Sequence, residues 1–138
     1  NKDEILRLCQ KHTEKARKSV LFFCNSMSFL DGDRTYLKTL RKIKMRAIAK
    51  PPSEERDGLF RNLAVELGIE VKSFDKDPEI RGRLIDPETP QRTRLILVNK
   101  EVDAAGEFVY SARIYSREDG STVIDMASAL FDSLWDKK

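Results

Sequence analysis

Two arginines form the most distinctive chemical pattern in the sequence. Only Thr93 separates Arg92 from Arg94, and an apolar run, residues 95–98, follows them. Side chains two positions apart on a β-strand point to the same face, and planar guanidinium groups suit a phosphate or a carboxylate. Because arginine stays protonated in proteins, the pair can bind an anion but cannot serve as a nucleophile. A structural alternative is that nearby acids, such as Asp86 or Glu88, hold the two arginines in ion pairs.

Other side chains of catalytic type are few. His12 is the only histidine, and the two cysteines, Cys9 and Cys24, lack the paired spacing of a zinc site. Both cysteines have apolar neighbours, which predicts reduced core thiols in a cytosolic protein. His12 is expected to be an ordinary, partly buried side chain on a helix. The sequence therefore predicts neither a metal site nor a cofactor.

One weaker pattern is typical of metal-dependent nucleases. Glu70 and Lys72, preceded by Asp57, match the carboxylates that hold Mg²⁺ and the lysine that steadies the attacked phosphate. Matches of this length are frequent in a chain of which 36% is charged, so an exposed strand face is the preferred interpretation. The six glycines are scattered and form no phosphate-binding loop.

The overall composition is that of a single soluble globular domain. The chain has 138 residues, of which 40% are hydrophobic. No apolar stretch approaches the roughly 18 residues that cross a bilayer. The sequence begins at Asn1 without a methionine and enters helical periodicity at once, as a piece of a longer protein would.

Charge is distributed unevenly along the chain. Residues 1–50 hold 13 Lys/Arg against 5 Asp/Glu, a net charge of +8, whereas the remainder holds 13 against 18, a net charge of −5. Such a bias is typical of a surface that faces nucleic acid or an acidic partner, although solvated helix faces carry as much charge without a function. A basic nucleic-acid-binding or protein-interaction module is therefore one functional hypothesis.

Apolar periodicity predicts alternating helices and strands in the first half of the chain. The spacing of Ile5, Leu8 and Cys9 indicates an amphipathic helix, and the unbroken apolar run after Ser19 indicates a strand covered on both faces. The predicted elements are a helix over 3–18, a strand over 19–25, a helix over 29–43, a strand over 44–49, a helix over 53–67 and a strand over 69–74. This order favours a parallel sheet with ligands at the carboxyl ends of its strands.

The second half of the chain reads differently. Its predicted elements are a short strand over 83–86, two strands over 94–98 and 102–105, a strand over 108–115, a turn over 117–120 and a closing helix that Ser121 caps. The polar pair Asn99 and Lys100 is predicted to be the tight turn of a hairpin between the first two long strands.

This second half resembles a known fold. The hairpin R-T-R-L-I-L-V-N-K-E-V-D-A-A-G, followed by a strand and a helix ending L-F-D-S-L-W, resembles the phospholipase D-like fold. In particular, it resembles the non-catalytic version of this fold, the sensor domain of TrmB-like archaeal transcription regulators, which a helix-turn-helix domain precedes. The resemblance implies one domain over 1–138, with a mixed, largely parallel sheet flanked by helices.

Catalytic members of the phospholipase D-like family carry a motif that this chain lacks. The motif is His-x-Lys followed by four residues and Asp, and the aligned positions here are Arg92, Arg94 and Asn99. The histidine nucleophile is therefore replaced by a guanidinium group, and His12 is far away in sequence. The resemblance thus implies a domain that is not an enzyme.

A vestigial site can still bind a ligand. Asn25-Ser26 and Lys50 follow two predicted strands, at the edge of a parallel sheet where ligands bind. The predicted ligand-binding residues are Arg92, Arg94, Asn99, Lys50 and Ser26.

The resemblance also implies partners. They are a small polar or anionic effector, a second copy of the chain, and DNA contacted through a separate helix-turn-helix domain that is not in this chain. A cytoplasmic location and no membrane are expected. The predicted function is effector sensing and dimerisation in a transcription regulator, and the basic module is the alternative.

Overall fold

Helices and strands alternate in the first half of the chain, and strands follow one another in the second. The computed structural model describes residues 2–24, 27, 30, 37–38, 42–51, 55–73 and 80–137. The elements are α1 (Lys2–Thr13), β1 (Ser19–Phe23), β2 (Lys44–Ala49), α2 (Glu55–Glu66), β3 (Ile69–Ser73), β4 (Gly82–Ile85), β5 (Arg94–Val102), β6 (Phe108–Ser116) and α3 (Arg117–Lys137). The helix predicted over 29–43 falls almost entirely outside the described residues.

All six described strands belong to one sheet, in the order β3-β2-β1-β4-β5-β6. The pairs β1–β2 and β2–β3 are parallel, and the three pairs that involve β4, β5 and β6 are antiparallel. Four of the six strands, β1, β2, β3 and β5, consequently run in the same direction. The predicted α/β architecture with a mixed sheet and flanking helices is confirmed.

β1 is the centre of the sheet because its apolar run is buried on both faces. Val20 and Phe22 join the larger core, which α1 and α2 cover, whereas Leu21 and Phe23 join a second core under α3. A strand between two helical layers needs apolar side chains at consecutive positions rather than alternating ones. The run that predicted this strand is therefore explained by its position.

The hairpin between β5 and β6 turns later than predicted. β5 continues through Asn99 and Lys100, so the turn predicted there is wrong. The actual turn lies at 103–107, where the Asp103 carboxylate accepts the N–H groups of Ala105 and Glu107, both at 2.9 Å. β4 pairs only with residues 94–97 of β5, so beyond Val98 the strands β5 and β6 extend past the rest of the sheet. Asn99 and Lys100 lie on this extension in contact with water, which explains why they are polar. Residues 99–111, the hairpin arm, form a two-stranded extension that is exposed to water except at the half-buried Tyr110.

Two helix boundaries also differ from the predictions. α1 ends at Thr13, whose side-chain hydroxyl donates to the Cys9 carbonyl at 2.6 Å, and residues 14–18 form a turn before β1. α3 begins at Arg117 instead of Ser121 and is kinked at Gly120. A β-carbon at Gly120 would lie 2.6 Å from the Tyr115 side chain, so the close approach of helix and strand requires glycine there.

Among the described helices, none has both the length and the apolar character needed to cross a bilayer.

Candidate functional site

The loop between β4 and β5 is anchored by a buried carboxylate. Asp86 is fully buried, and its carboxylate accepts the backbone N–H groups of Arg17, Lys18 and Ser19 at 2.8 to 3.2 Å. Three N–H donors satisfy the charge of a carboxylate that water cannot reach. The Ser19 hydroxyl donates to both oxygens of Glu88, at 2.7 and 2.9 Å. The two acids proposed as ion-pair partners of the arginine pair therefore hold the turn between α1 and β1 instead.

Arg92 and Arg94 do not share a strand face. Arg92 lies in a turn before β5, where its N–H donates to the Thr89 carbonyl at 2.8 Å, whereas Arg94 is the first residue of β5. A guanidinium nitrogen of Arg94 donates to the Thr93 carbonyl at 2.7 Å. The prediction that alternation along one strand aligns the two side chains is wrong, because the strand begins after Arg92.

The predicted ligand residues divide between two opposite edges of the sheet. Arg94 pairs with Ile85, which pairs with Val20 near the start of β1. Lys50 instead follows the carboxyl end of β2, and Asn99 lies about 17 Å from Arg94 along β5. Ser26 lies outside the described residues.

The four of these residues that the structure describes, Arg92, Arg94, Asn99 and Lys50, therefore do not surround one site as the sequence analysis expected. The physical reason is that β5 runs parallel to β1, so its first residues lie where β1 begins. Whether any of the five binds a ligand stays a prediction.

His12 is closer to the degenerate motif than its position in the sequence suggested. α1 packs against β4, β5 and β6, and this brings its last turn toward Arg94. Partial burial lowers the pKa of His12, and the positive charges of Lys15, Lys11 and Arg94 lower that pKa further. Burial and three nearby cations therefore favour the neutral form of the imidazole.

Cationic side chains gather at the edge where β1 and β2 begin. Because these strands are parallel neighbours, their leading segments lie side by side: Ser19 pairs with Lys44, and the Lys44 N–H donates to the Lys18 carbonyl at 3.1 Å. This basic edge comprises six exposed residues, Lys11, Lys15, Arg17, Lys18, Lys42 and Lys44. The positive bias of the first third of the sequence is thus partly concentrated on one surface.

Three arginines belong to segments that lie near the carboxyl end of β1. A guanidinium nitrogen of Arg61, from α2, donates to the Lys50 carbonyl. Arg81 immediately precedes Gly82, the residue that pairs with Phe23 at the end of β1.

The third arginine, Arg83, is 5% exposed and lies on β4. Its guanidinium donates to the Thr13 hydroxyl at 3.2 Å and lies 5.1 Å from the centre of the Phe22 ring. We call Arg61, Arg81 and Arg83 the arginine cluster.

The positive charges of the arginine cluster influence the pKa of the Cys24 thiol. Burial raises the pKa of Cys24 to about 12, while Arg61, Arg81 and Arg83 act in the opposite direction and lower it. All three guanidinium groups are thus near enough to the thiol to influence its ionisation. Sequence analysis missed this cluster because its members come from α2, the segment before β4, and β4, and no local motif joins them.

The contacts of Lys72, a residue of the weak nuclease pattern, are those of a structural residue. The Lys72 ammonium donates to the Trp135 carbonyl at 2.8 Å and lies 4.6 Å from the centre of the indole ring. Lys72 therefore binds the end of α3, where a cation is favourable. Glu70 is exposed, and the side chain of Asp57 is outside the described part. Within the residues that the structure describes, no group of three or more His, Cys, Asp or Glu side chains could hold a metal ion.

Comparisons with known sequences and structures agree with the observed fold. Residues 36–134 match the sequence model of a family described as Inactive HKD-Rease. The solved structure of TrmBL2, described as an archaeal chromatin protein that shows a novel mode of DNA binding, superposes with a TM-score of 0.62 at 13% sequence identity. The match covers 99% of this chain and 49% of that chain, so this chain spans about half of the TrmBL2 structure. No curated protein matches the sequence.

Proposed function

Because the chain belongs to the Inactive HKD-Rease family, we propose that it is the effector-sensing and dimerisation domain of a cytoplasmic transcription regulator. The family is described as inactive, which confirms the prediction that the domain is not an enzyme. The loss of the nucleophile at Arg92 gives the chemical reason, because a guanidinium group cannot attack phosphorus. The fold shared with TrmBL2 supports a regulatory context. DNA recognition by a separate helix-turn-helix domain remains part of this proposal.

The arginine cluster is the observation that carries the proposal of an effector site. β1 and β2 are parallel neighbours, so their carboxyl ends lie side by side at one edge of the sheet. In open α/β sheets, ligands bind outside the carboxyl ends of such strands. Guanidinium groups near that edge favour a small molecule that bears a phosphate or a carboxylate.

Two of the predicted ligand residues fit this location. Lys50 follows β2 at the same end of the sheet, and its carbonyl already accepts a hydrogen bond from Arg61. Asn99 lies on the same edge, although β1 and β4 separate it from Lys50 by roughly 14 Å, three strand spacings. Arg92 and Arg94 lie at the opposite edge, so their predicted role in ligand binding is not part of this site.

Calorimetric titration tests the effector site. The ligands are inorganic phosphate, sugar phosphates and nucleotides, and we expect saturable binding of at least one of them. Removing one charge-assisted hydrogen bond in Arg81→Gln should weaken the affinity by about 10-fold to 100-fold. Arg113→Gln, which removes an exposed arginine on β6, is the matched control and should bind like the unaltered protein. No saturable binding to any of these anions would refute the effector site.

The hairpin arm supports the dimerisation part of the proposal. Val102 and Phe108 face each other across the arm, each 62% exposed, and Val109 is 46% exposed. Apolar side chains grouped on a protruding hairpin are typical of a surface that another protein covers. A second copy of the chain is the proposed occupant, because β6 is the last of the described strands and none of them pairs with its outer edge, which favours pairing with another strand.

Light scattering after size exclusion tests dimerisation. A mass of about twice 15.9 kDa is expected for the unaltered chain, and Phe108→Ser should shift the population to monomer. Met126→Ser replaces an equally exposed apolar residue, 68% exposed on α3, and should leave the mass unchanged. A monomer at every concentration tested would contradict dimerisation while leaving the effector site unaffected.

A further inference from the structure

The basic edge is a surface that the proposed function does not use. Its six cations come from three segments: the end of α1, the turn before β1 and the approach to β2. The strand register fixes two of them as direct neighbours, since Lys18 precedes Ser19 and Ser19 pairs with Lys44. Adjacent strands are about 4.8 Å apart, so the backbones of Lys18 and Lys44 lie about one strand spacing from each other.

The net charge of this edge is strongly positive. Segments 11–18 and 42–44 contain six Lys or Arg residues and one acid, Glu14, which gives a net charge of +5. Asp86 and Glu88 also lie beside this edge, and their hydrogen bonds to backbone N–H groups and to the Ser19 hydroxyl leave their charges in place, so the net charge with both counted is +3. Among the described contacts, no ion pair neutralises a cation of the basic edge.

The backbone that carries these cations is held in place. Asp86 accepts the N–H groups of Arg17 and Lys18, at 3.0 and 2.8 Å, so the turn is attached to the β4–β5 loop from below. The Lys44 N–H donates to Lys18 and joins the turn to the neighbouring strand. A fixed backbone places long, flexible lysine side chains at a defined surface, and little backbone entropy is lost when they bind a ligand.

The chemistry of the edge favours the backbone of a duplex. Lysine ammonium groups are compact point charges that bind phosphate without a required orientation. Segments 11–18 and 42–44 contain no Phe, Tyr or Trp, so unpaired bases would find no stacking platform. Double-stranded DNA carries about one negative charge per 1.7 Å of its axis, and neutralising its phosphates releases bound counterions.

We propose that the basic edge binds the phosphate backbone of double-stranded DNA, without reading its sequence. This contact is additional to recognition by any separate DNA-binding domain, and it does not depend on the effector site at the other end of the sheet. The domain would thus lie against DNA through the edge where β1 and β2 begin. Its affinity alone is expected to be that of non-specific binding, with a Kd of roughly 10⁻⁶ to 10⁻⁴ M.

Fluorescence anisotropy with two 20-base-pair duplexes of unrelated sequence tests the proposal. Titrations run from 50 to 200 mM salt without any effector. Each phosphate contact should make the affinity fall about 3.5-fold over this fourfold rise in salt, and the slope of log K against log salt should be about −0.9 per contact. Both duplexes should give the same affinity and the same slope.

A charge-matched pair of variants separates a local site from net charge. Lys18→Gln/Lys44→Gln removes two neighbouring cations of the basic edge and should make the salt slope shallower by about 1.8. Lys100→Gln/Arg113→Gln removes two exposed cations on β5 and β6 and should leave the slope unchanged. Replacing Lys18 keeps the backbone N–H that Asp86 accepts, and urea unfolding verifies that each variant is as stable as the unaltered protein.

Several results would overturn the proposal. They are no binding at 50 mM salt, equal effects of the two double variants, tighter binding to single-stranded than to double-stranded DNA, and binding to an acidic peptide that duplex DNA does not displace. The calorimetric anion titration remains interpretable in each case, because Arg81 and the basic edge lie at opposite ends of the sheet.

Discussion

Replacing Asp86 by alanine removes the acceptor that joins the turn before β1 to the β4–β5 loop. The N–H of Ser19 lies in a buried environment and would have no partner, whereas water can reach the N–H groups of Arg17 and Lys18 more easily. Asp86 also has a backbone φ of 49°, where alanine is strained. One fully unsatisfied donor, two partly hydrated donors and the strain together predict a loss of about 3–5 kcal/mol in the free energy of unfolding.

Two further variants make the Asp86 prediction specific. Asp86→Asn keeps one acceptor oxygen and tolerates the positive φ, so it should cost about 1–2 kcal/mol. Asp103→Ala also removes a carboxylate that accepts two backbone N–H groups, but Asp103 is exposed at the end of the hairpin arm. Water can replace it there, and the expected loss is below about 1 kcal/mol.

Urea denaturation followed by the fluorescence of Trp135, the only tryptophan, measures all three variants. Equal losses for Asp86→Ala and Asp103→Ala would refute the reasoning, because burial would then have no effect on the energy of the missing acceptor. A loss below about 1 kcal/mol for Asp86→Ala would refute it as well.

Three further predictions follow from individual environments. Because burial raises the pKa of Cys24 to about 12, the thiol should resist a disulfide reagent at pH 7 in a variant that keeps Cys24 as the single cysteine. The free energy of unfolding should fall as the pH rises above about 9, because the thiol then ionises in the unfolded chain but not in the folded one. Rapid labelling of the native protein would contradict this prediction. The pKa of His12, followed by NMR, should lie below 6.5 and rise when duplex DNA binds the basic edge, whereas a pKa unchanged by DNA would contradict contact there. Gly120→Ala should lower the free energy of unfolding by about 1–3 kcal/mol, because the new β-carbon meets the Tyr115 ring. Gly58→Ala, where no atom lies within 4 Å of the new β-carbon, should raise it by about 0.5–1 kcal/mol by stabilising α2. Equal urea midpoints for the two variants would contradict this contrast.

Local patterns predicted the first half of the fold because the apolar or alternating side chains of each strand there match how the strand is buried. The run from Ser19 is apolar at every position since two helical layers cover it, and the strand predicted over 44–49 has the observed boundaries. Gly68, with a φ of 78°, follows the end of α2, as glycine commonly does at a helix terminus. The resemblance of the second half then identified the family, although its hairpin turn was misplaced.

The location of the candidate site could not be predicted, because it depends on strand direction. Nothing local in the sequence says that β4 inserts antiparallel beside β1, and this insertion places the start of β5 at the edge opposite Lys50. Asn99 and Lys100 have the polarity of a turn, but their polarity reflects an arm exposed to water. The D-x-x-G pattern of residues 103–106 was the signal that could have located the turn.

The two proposed binding surfaces could not be located from the sequence for a related reason, although the charge bias of residues 1–50 indicated a basic surface. The arginine cluster and the basic edge are each assembled from three segments that are separated along the chain. Asp86 was considered only as a partner for arginine side chains, whereas its carboxylate binds backbone N–H groups about 70 residues earlier in the chain, a separation that sequence patterns do not reveal.

The central claim is that this non-catalytic domain binds a small anion at the carboxyl end of β1. Two-dimensional ¹H–¹⁵N NMR during a titration with inorganic phosphate tests both the binding and its location. We expect saturable shifts centred on Arg61, Arg81 and Cys24, with little change at Arg92 and Arg94. Shifts confined to Arg92 and Arg94, or shifts that grow linearly without saturation at every residue, would contradict the account.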